Sequence, residues 1–205
     1  VTIGAAATAT TVAGIPFYSA DTSSIYTTDV SGTDDTAEGN SAYGYQAMDA
    51  ITTGDQNSAF GHTALGANTT GAFNTAIGSA ALLANTTGTL NTAVGRAALR
   101  SSTTADDNTA LGHFALEANT TGASNTALGR ASMENNTTGS QNTAVGKSAL
   151  DANTTADNNV AVGFNTMGAN TTGTRNTAVG TSALGTISTV NDNTAIGHDA
   201  LTANT

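Results

Sequence analysis

The side chains best suited to chemistry or recognition fall in one register. His62, His113 and His198 are joined there by Arg96, Arg130 and Lys147, and by Tyr45, Ser79, Phe164 and Thr181. Successive members are 17 residues apart. Aromatic rings interleaved with hydrogen-bond donors suit sugars, so Tyr45, His62, Arg96, His113, Arg130, Lys147, Phe164 and His198 form a candidate stripe for a glycan or surface ligand. The competing reading is a variable, solvated stripe with no ligand. The histidines are separated by 51 and 85 residues, or three and five repeats, too far apart to share an ion if repeats stack at about 4.8 Å. Arg and Lys in the same register also point the stripe outward. No metal and no cofactor are expected. Asp and Glu sit at scattered points of the repeat, and neither a G-x-S-x-G elbow nor a glycine-rich phosphate loop occurs, so no catalytic residue is assigned and no enzyme is expected.

These residues are positioned by a repeat. Its first residue, position 1, is Asn at 40, 57, 74, 91, 108, 125, 142, 159, 176 and 193. Position 3 is always Ala and position 5 always Gly. Position 4 is apolar or aromatic, position 8 is small, and position 9 is Leu or Met. The stripe above is position 6. Positions 12 to 15 usually read Asn-Thr-Thr-Gly, a turn vocabulary. Seventeen residues with this content cannot fold alone, but stacked units can bury positions 4 and 9 in one column. Recurring Gly and Asn suit turns with positive φ, and stacked Asn side chains can form a ladder. The prediction is an all-β chain, a β-solenoid (β-roll) of ten 17-residue coils about 50 Å long. Helical repeats need about 33 residues or more, and Thr, Asn and Gly are poor helix interiors. There is room for one short helical turn at positions 7 to 9.

Tyr43 and Phe60 at position 4 predict a wider column in the first two coils. Position 12, mostly Asn but Ile51 and Ile187 in two coils, reads as partly buried. Ala105 and Ala156 replace the position-15 Gly and predict altered turns. Asn68, Asn85, Asn119, Asn136, Asn153 and Asn170 each open an Asn-Thr-Thr acceptor pattern, and are glycosylation candidates if the host decorates exported proteins. Thr rows at positions 13 and 14 raise an ice- or mineral-binding face, although the rows are broken and lack T-x-T alternation.

Charged residues make up only 10% of the chain, and large core-forming residues are few. A thin rod of this kind gains burial by associating side by side. A net charge of −10 speaks against nucleic acid and against anionic lipid. No apolar run reaches the roughly 20 residues that span a bilayer, so membrane insertion is not expected. With no cysteine, no disulfide can form, which is compatible with an exported protein.

Residues 1–39 lie outside the repeat and read as a cap or junction, with 40–205 as the solenoid domain. Strands are expected in 1–14 and 24–30, with Pro16 as a break. Asp29, Asp34, Asp35 and Glu38 form an acidic cluster without calcium-loop spacing, so a solvated patch is expected. The coil from Asn193 is incomplete at Thr205, which reads as a fragment of a longer chain, or alternatively as a junction where the rod continues into another subunit.

The phrase Asn142-Thr143-Ala144-Val145-Gly146, repeated as Asn176-Thr177-Ala178-Val179-Gly180, resembles the head repeats of trimeric autotransporter adhesins of the YadA-like class. It is more similar still to 17-residue repeats of tail-fibre-like proteins of phages and environmental bacteria. The resemblance spans Asn40 to Thr205. It implies a parallel homotrimer of solenoids serving as a fibre outside the cell, on its surface or on a virion, and names no receptor. The leading expectation is a non-catalytic structural and adhesive fibre. The alternatives are a head-to-tail extracellular filament and a module binding a cell-surface glycan through the position-6 stripe.

Overall fold

A computed structural model describes residues 36–202 and three short strands before them. These are β1 (Thr10–Val12), β2 (Ile15–Phe17) and β3 (Ile25–Tyr26). Strands β1 and β2 pair antiparallel, with Thr11 opposite Pro16. Pro16 therefore sits inside a strand rather than breaking one, which a two-stranded ribbon tolerates because both strands are edges. Asp29, Asp34 and Asp35 lie outside the described residues.

Ten three-residue strands follow, from β4 (Ser41–Tyr43) to β13 (Thr194–Ile196), one at positions 2 to 4 of each repeat. They form one parallel sheet in sequence order, and β3 pairs with β4 at its start. Register is identical at each step: Ala93 faces Ala110, Ala110 faces Ala127, Ala127 faces Ala144. The chain is a parallel β-solenoid with one coil per 17-residue repeat, and no helix occurs among the described residues. The short helical turn at positions 7 to 9 is not formed.

The interior is built from positions 3, 8, 9 and 12. Position 3 is Ala in every coil and buried, position 9 is fully buried in the first eight coils, and position 12 is buried in all nine coils that complete it. Position 4, predicted to share this column, faces out. Strand side chains alternate, so with Ala at position 3 turned inward, positions 2 and 4 must turn outward. Ala wins the inward place because the coil is narrow: the Leu or Met of position 9 already fills the space across from it. The first two coils are consequently not wider inside. Tyr43 and Phe60 stack on the outer face with ring centroids 4.9 Å apart.

Two asparagine ladders satisfy the polar interior. At position 1, the Oδ1 of Asn74 accepts the N–H of Asn91 at 3.0 Å, while the Asn91 amide donates to the Ala105 carbonyl at 2.8 Å. At position 12, Asn136 donates to Asn119 Oδ1 at 2.9 Å and Asn153 to Asn136 Oδ1 at 2.8 Å. The same amide reaches the position-15 carbonyl of its own coil, as Asn119 does at Gly122. A buried amide unable to do this would cost about 1–3 kcal/mol per orphaned group. Position 12 is thus wholly buried rather than partly so.

Positive φ falls at the position-5 Gly, as predicted, and also at positions the sequence did not mark. Positions 7 and 9 of every coil and position 17 of the first nine are left-handed, although only a few carry Asn or Asp and most carry residues such as Leu, Met, Ala, Ser, Gln and Phe. The Asn of the Asn-Thr-Thr-Gly stretch is not left-handed. Its Gly serves close approach: a Cβ on Gly122 would lie 2.2 Å from the Gly139 carbonyl oxygen of the next coil. The position-5 Gly does both jobs, since Gly129 has φ 139 and a Cβ there would meet the Gly146 oxygen at 2.5 Å. Ala105 and Ala156 change their turns locally. In Gly coils such as Thr137–Thr138, both N–H groups reach the Thr154 carbonyl, whereas in the Ala coils only Thr103 and Thr154 reach the next coil and their neighbours Thr104 and Thr155 do not.

Candidate functional site

Stacking converts each repeat position into a file along the rod, with one residue about every 4.8 Å. The position-6 file begins with Tyr45, which is 68% exposed, stacked on His62 at 5.6 Å between ring centroids. Further along, Arg96 donates from Nη1 to His113 Nε2 at 3.1 Å. Guanidinium only donates, so in this contact the imidazole nitrogen is the acceptor. The Arg96 guanidinium also lies 5.3 Å from the centre of the Phe114 ring, and Lys147 Nζ lies 5.4 Å from that of Phe164. At the far end His198 Nδ1 is 3.0 Å from Asp199 Oδ2. The structure therefore brings Arg96, His113, Arg130, Lys147 and Phe164 together as consecutive neighbours. Tyr45 and His62 form a separate pair, and His198 stands three coils beyond Lys147. No group of three His, Cys, Asp or Glu residues gathers as a metal site among the described residues.

Phe114, at position 7, was not legible as part of this file. Nor was the row of carboxylates at position 10, where Glu117, Glu134 and Asp151 occupy successive coils although acids elsewhere are scattered. Burial raises the Asp151 carboxyl above its ordinary pKa. The Glu134 carboxyl is raised first by burial, then by Asp151 and Glu117, with Arg130 and His113 pulling the other way.

The proposed glycosylation positions need correcting. Asn68, Asn85, Asn119, Asn136, Asn153 and Asn170 are all buried, with their amides engaged in the position-12 ladder. A sugar on any of these nitrogens would have to occupy the inside of a coil. The Thr rows are also unequal. Position-13 hydroxyls, such as that of Thr120 to the Thr137 carbonyl at 2.9 Å, are used between coils. Only the position-14 file, from Thr53 to Thr189, is fully exposed.

A further surface feature is the outer face of the sheet. Tyr43, Phe60, Ile77, Leu111, Leu128, Val179 and Ile196 are exposed at position 4, with Val160 at position 2 and Phe73 and Leu90 at position 17 beside them. Phe60 is 57% exposed and Ile196 73%. The position-4 pattern is visible in the sequence, which leaves open whether position 3 or position 4 faces a partner.

The fold and these files define a parallel β-solenoid with one apolar face and one basic and aromatic edge. No known protein family, curated protein or solved structure matches the chain. No helix among the described residues is long and apolar enough to cross a membrane.

Proposed function

We propose that the chain is the shaft of a structural and adhesive fibre, and that its sheet face packs against the same face of further copies in a parallel homotrimer. The observation that carries this is the position-4 file. Apolar side chains are exposed at position 4 in seven of the ten coils, from Tyr43 to Ile196, and half-buried at Val94, Val145 and Val162. Single soluble chains rarely expose contiguous apolar patches of more than a few hundred Å². The position-3 alanines are spent inside the coil, so the larger position-4 residues are what a partner would meet. Copies in parallel would bring like coil against like coil, since register never slips within a chain. The resemblance to fibre and adhesin repeats supports three chains and a place outside the cell or on a virion.

The test is the mass of the native assembly by light scattering or sedimentation, beside a variant with Ile77, Leu111 and Leu128 changed to Glu. Three chains in the native protein and one folded chain in the variant are expected. A native monomer, or assembly that survives the three glutamates, would overturn the reading.

A further inference from the structure

The chain has five Lys and Arg residues, and all five lie on described coils. Two are ion-paired across one coil step. Arg100 Nη1 is 3.4 Å from Glu117 Oε1, and Arg175 Nε is 2.6 Å from Asp192 Oδ1. The other three, Arg96, Arg130 and Lys147, all stand in the position-6 file, and none has a carboxylate within ion-pair distance among the described residues. With His113 they fill four consecutive coils, a span of about 14 Å. Like charges on neighbouring coils oppose each other, so Arg130 beside Lys147 weakens the fold rather than supporting it. The contacts of Arg96 with His113 and Phe114, and of Lys147 with Phe164, hold the charged heads in place without neutralising them.

We propose that this row is a docking site for a linear acidic polysaccharide lying along the rod, with its carboxylate or sulfate groups on Arg96, Arg130 and Lys147. Arg96 and Arg130 stand two coils apart and Arg130 and Lys147 one coil apart, about 10 and 5 Å, so successive charged groups of an extended acidic polymer can meet them in order. Arginine suits such oxyanions because its planar fork can donate two hydrogen bonds at once. The exposed Phe164 ring offers a flat apolar surface to the C–H face of a sugar. The carboxylates of position 10 are near enough for Arg130 and His113 to act on Glu134, and they confine an anionic polymer to the single file. Nucleic acid fits less well, because duplex DNA carries a charge about every 1.7 Å, much closer than the separation of neighbouring coils.

The experiment measures retention of the native protein on immobilised heparin and polygalacturonate, with dextran as the neutral polymer and poly-dT as the nucleic acid. Retention on at least one acidic polysaccharide is expected, weakening as salt rises. The R96Q/R130Q/K147Q variant should bind about tenfold more weakly or worse, while R100Q/R175Q, which removes cations elsewhere, stays within about twofold of the native protein. A charge-preserving R96K/R130K variant should keep most of the retention. Native retention no greater than on dextran, equal losses in the two glutamine variants, or equal retention on poly-dT would each overturn the proposal.

Discussion

Ser102 interrupts the position-12 ladder, and completing the ladder tests how the interior is held together. Ser102 takes the place of an Asn between Asn85 and Asn119, and its short side chain does not reach either neighbour. Two buried oxygens are left without partners as a result, Asn85 Oδ1 and Ser102 Oγ itself. In Ser102→Asn the new amide would donate to Asn85 Oδ1 and to the Ala105 carbonyl. Asn153 shows that this geometry works in a coil with Ala at position 15, donating to Asn136 Oδ1 at 2.8 Å and to the Ala156 carbonyl at 3.1 Å. Each orphaned group costs about 1–3 kcal/mol. Ordering a longer side chain takes back part of the gain, up to about 2 kcal/mol. A net gain of about 1–2 kcal/mol follows, which for a chain of this size raises the melting temperature by about 2–8 °C. Thermal denaturation followed by circular dichroism measures it. Ser101→Asn is the control, since the neighbouring position is half-buried and outside the ladder, and it should leave the melting temperature nearly unchanged. A Ser102→Asn protein no more stable than the native one, or matched by Ser101→Asn, would refute the ladder as an energetic unit.

Further expectations concern single residues. Asn125→Asp keeps an acceptor for the Asn142 N–H but loses the donor to the Gly139 carbonyl. Burial raises the new carboxyl above its unfolded pKa of about 3.9, so the variant should approach native stability below that pH and lose it as pH rises through the raised folded value; a native-minus-variant difference independent of pH would refute this. Gly129→Ala combines a left-handed φ with a 2.5 Å clash against backbone and should cost at least about 3 kcal/mol in denaturant titration. Leu116→Ala removes a fully buried side chain from the central column and should cost about 2–5 kcal/mol by the same measurement. Asp151 has a raised pKa and one buried oxygen without a partner. Its raised value makes it cost stability as pH climbs above the unfolded pKa, so Asp151→Asn should gain stability at neutral pH and gain nothing near pH 3.

The period of the repeat made the coil, its parallel register and the inward Leu and Met readable from sequence alone. The direction of position 4 was not readable, because both choices satisfy the alternation of a strand. What decides it is the width of the coil, which admits Ala93 or Ala110 but not Val94 or Leu111 beside the buried Leu of position 9. The asparagines of position 12 looked like turn residues, since Asn-Thr-Thr-Gly is turn vocabulary, yet their role is to bond one coil to the next. The left-handed sites at Leu116 and Phe114 carry no local signature. Neighbouring coils impose them, against a local preference of about 1–2 kcal/mol per residue. The exposed position-6 file was legible through its variability, but the pairing of Arg96 with His113 and Phe114 depends on which coils are adjacent.

The uniform register also governs how the rod would respond to tension. A pull along the rod loads the contacts between coils, and a coil whose neighbour has detached is held on one side only. Coils should therefore detach in turn instead of giving way together. Each one released lets out 17 residues, up to about 60 Å of extended chain, in place of the roughly 4.8 Å it occupied when stacked. A rod of identical coils thus stores length as well as span, and under load it lengthens in steps while the remaining coils stay folded.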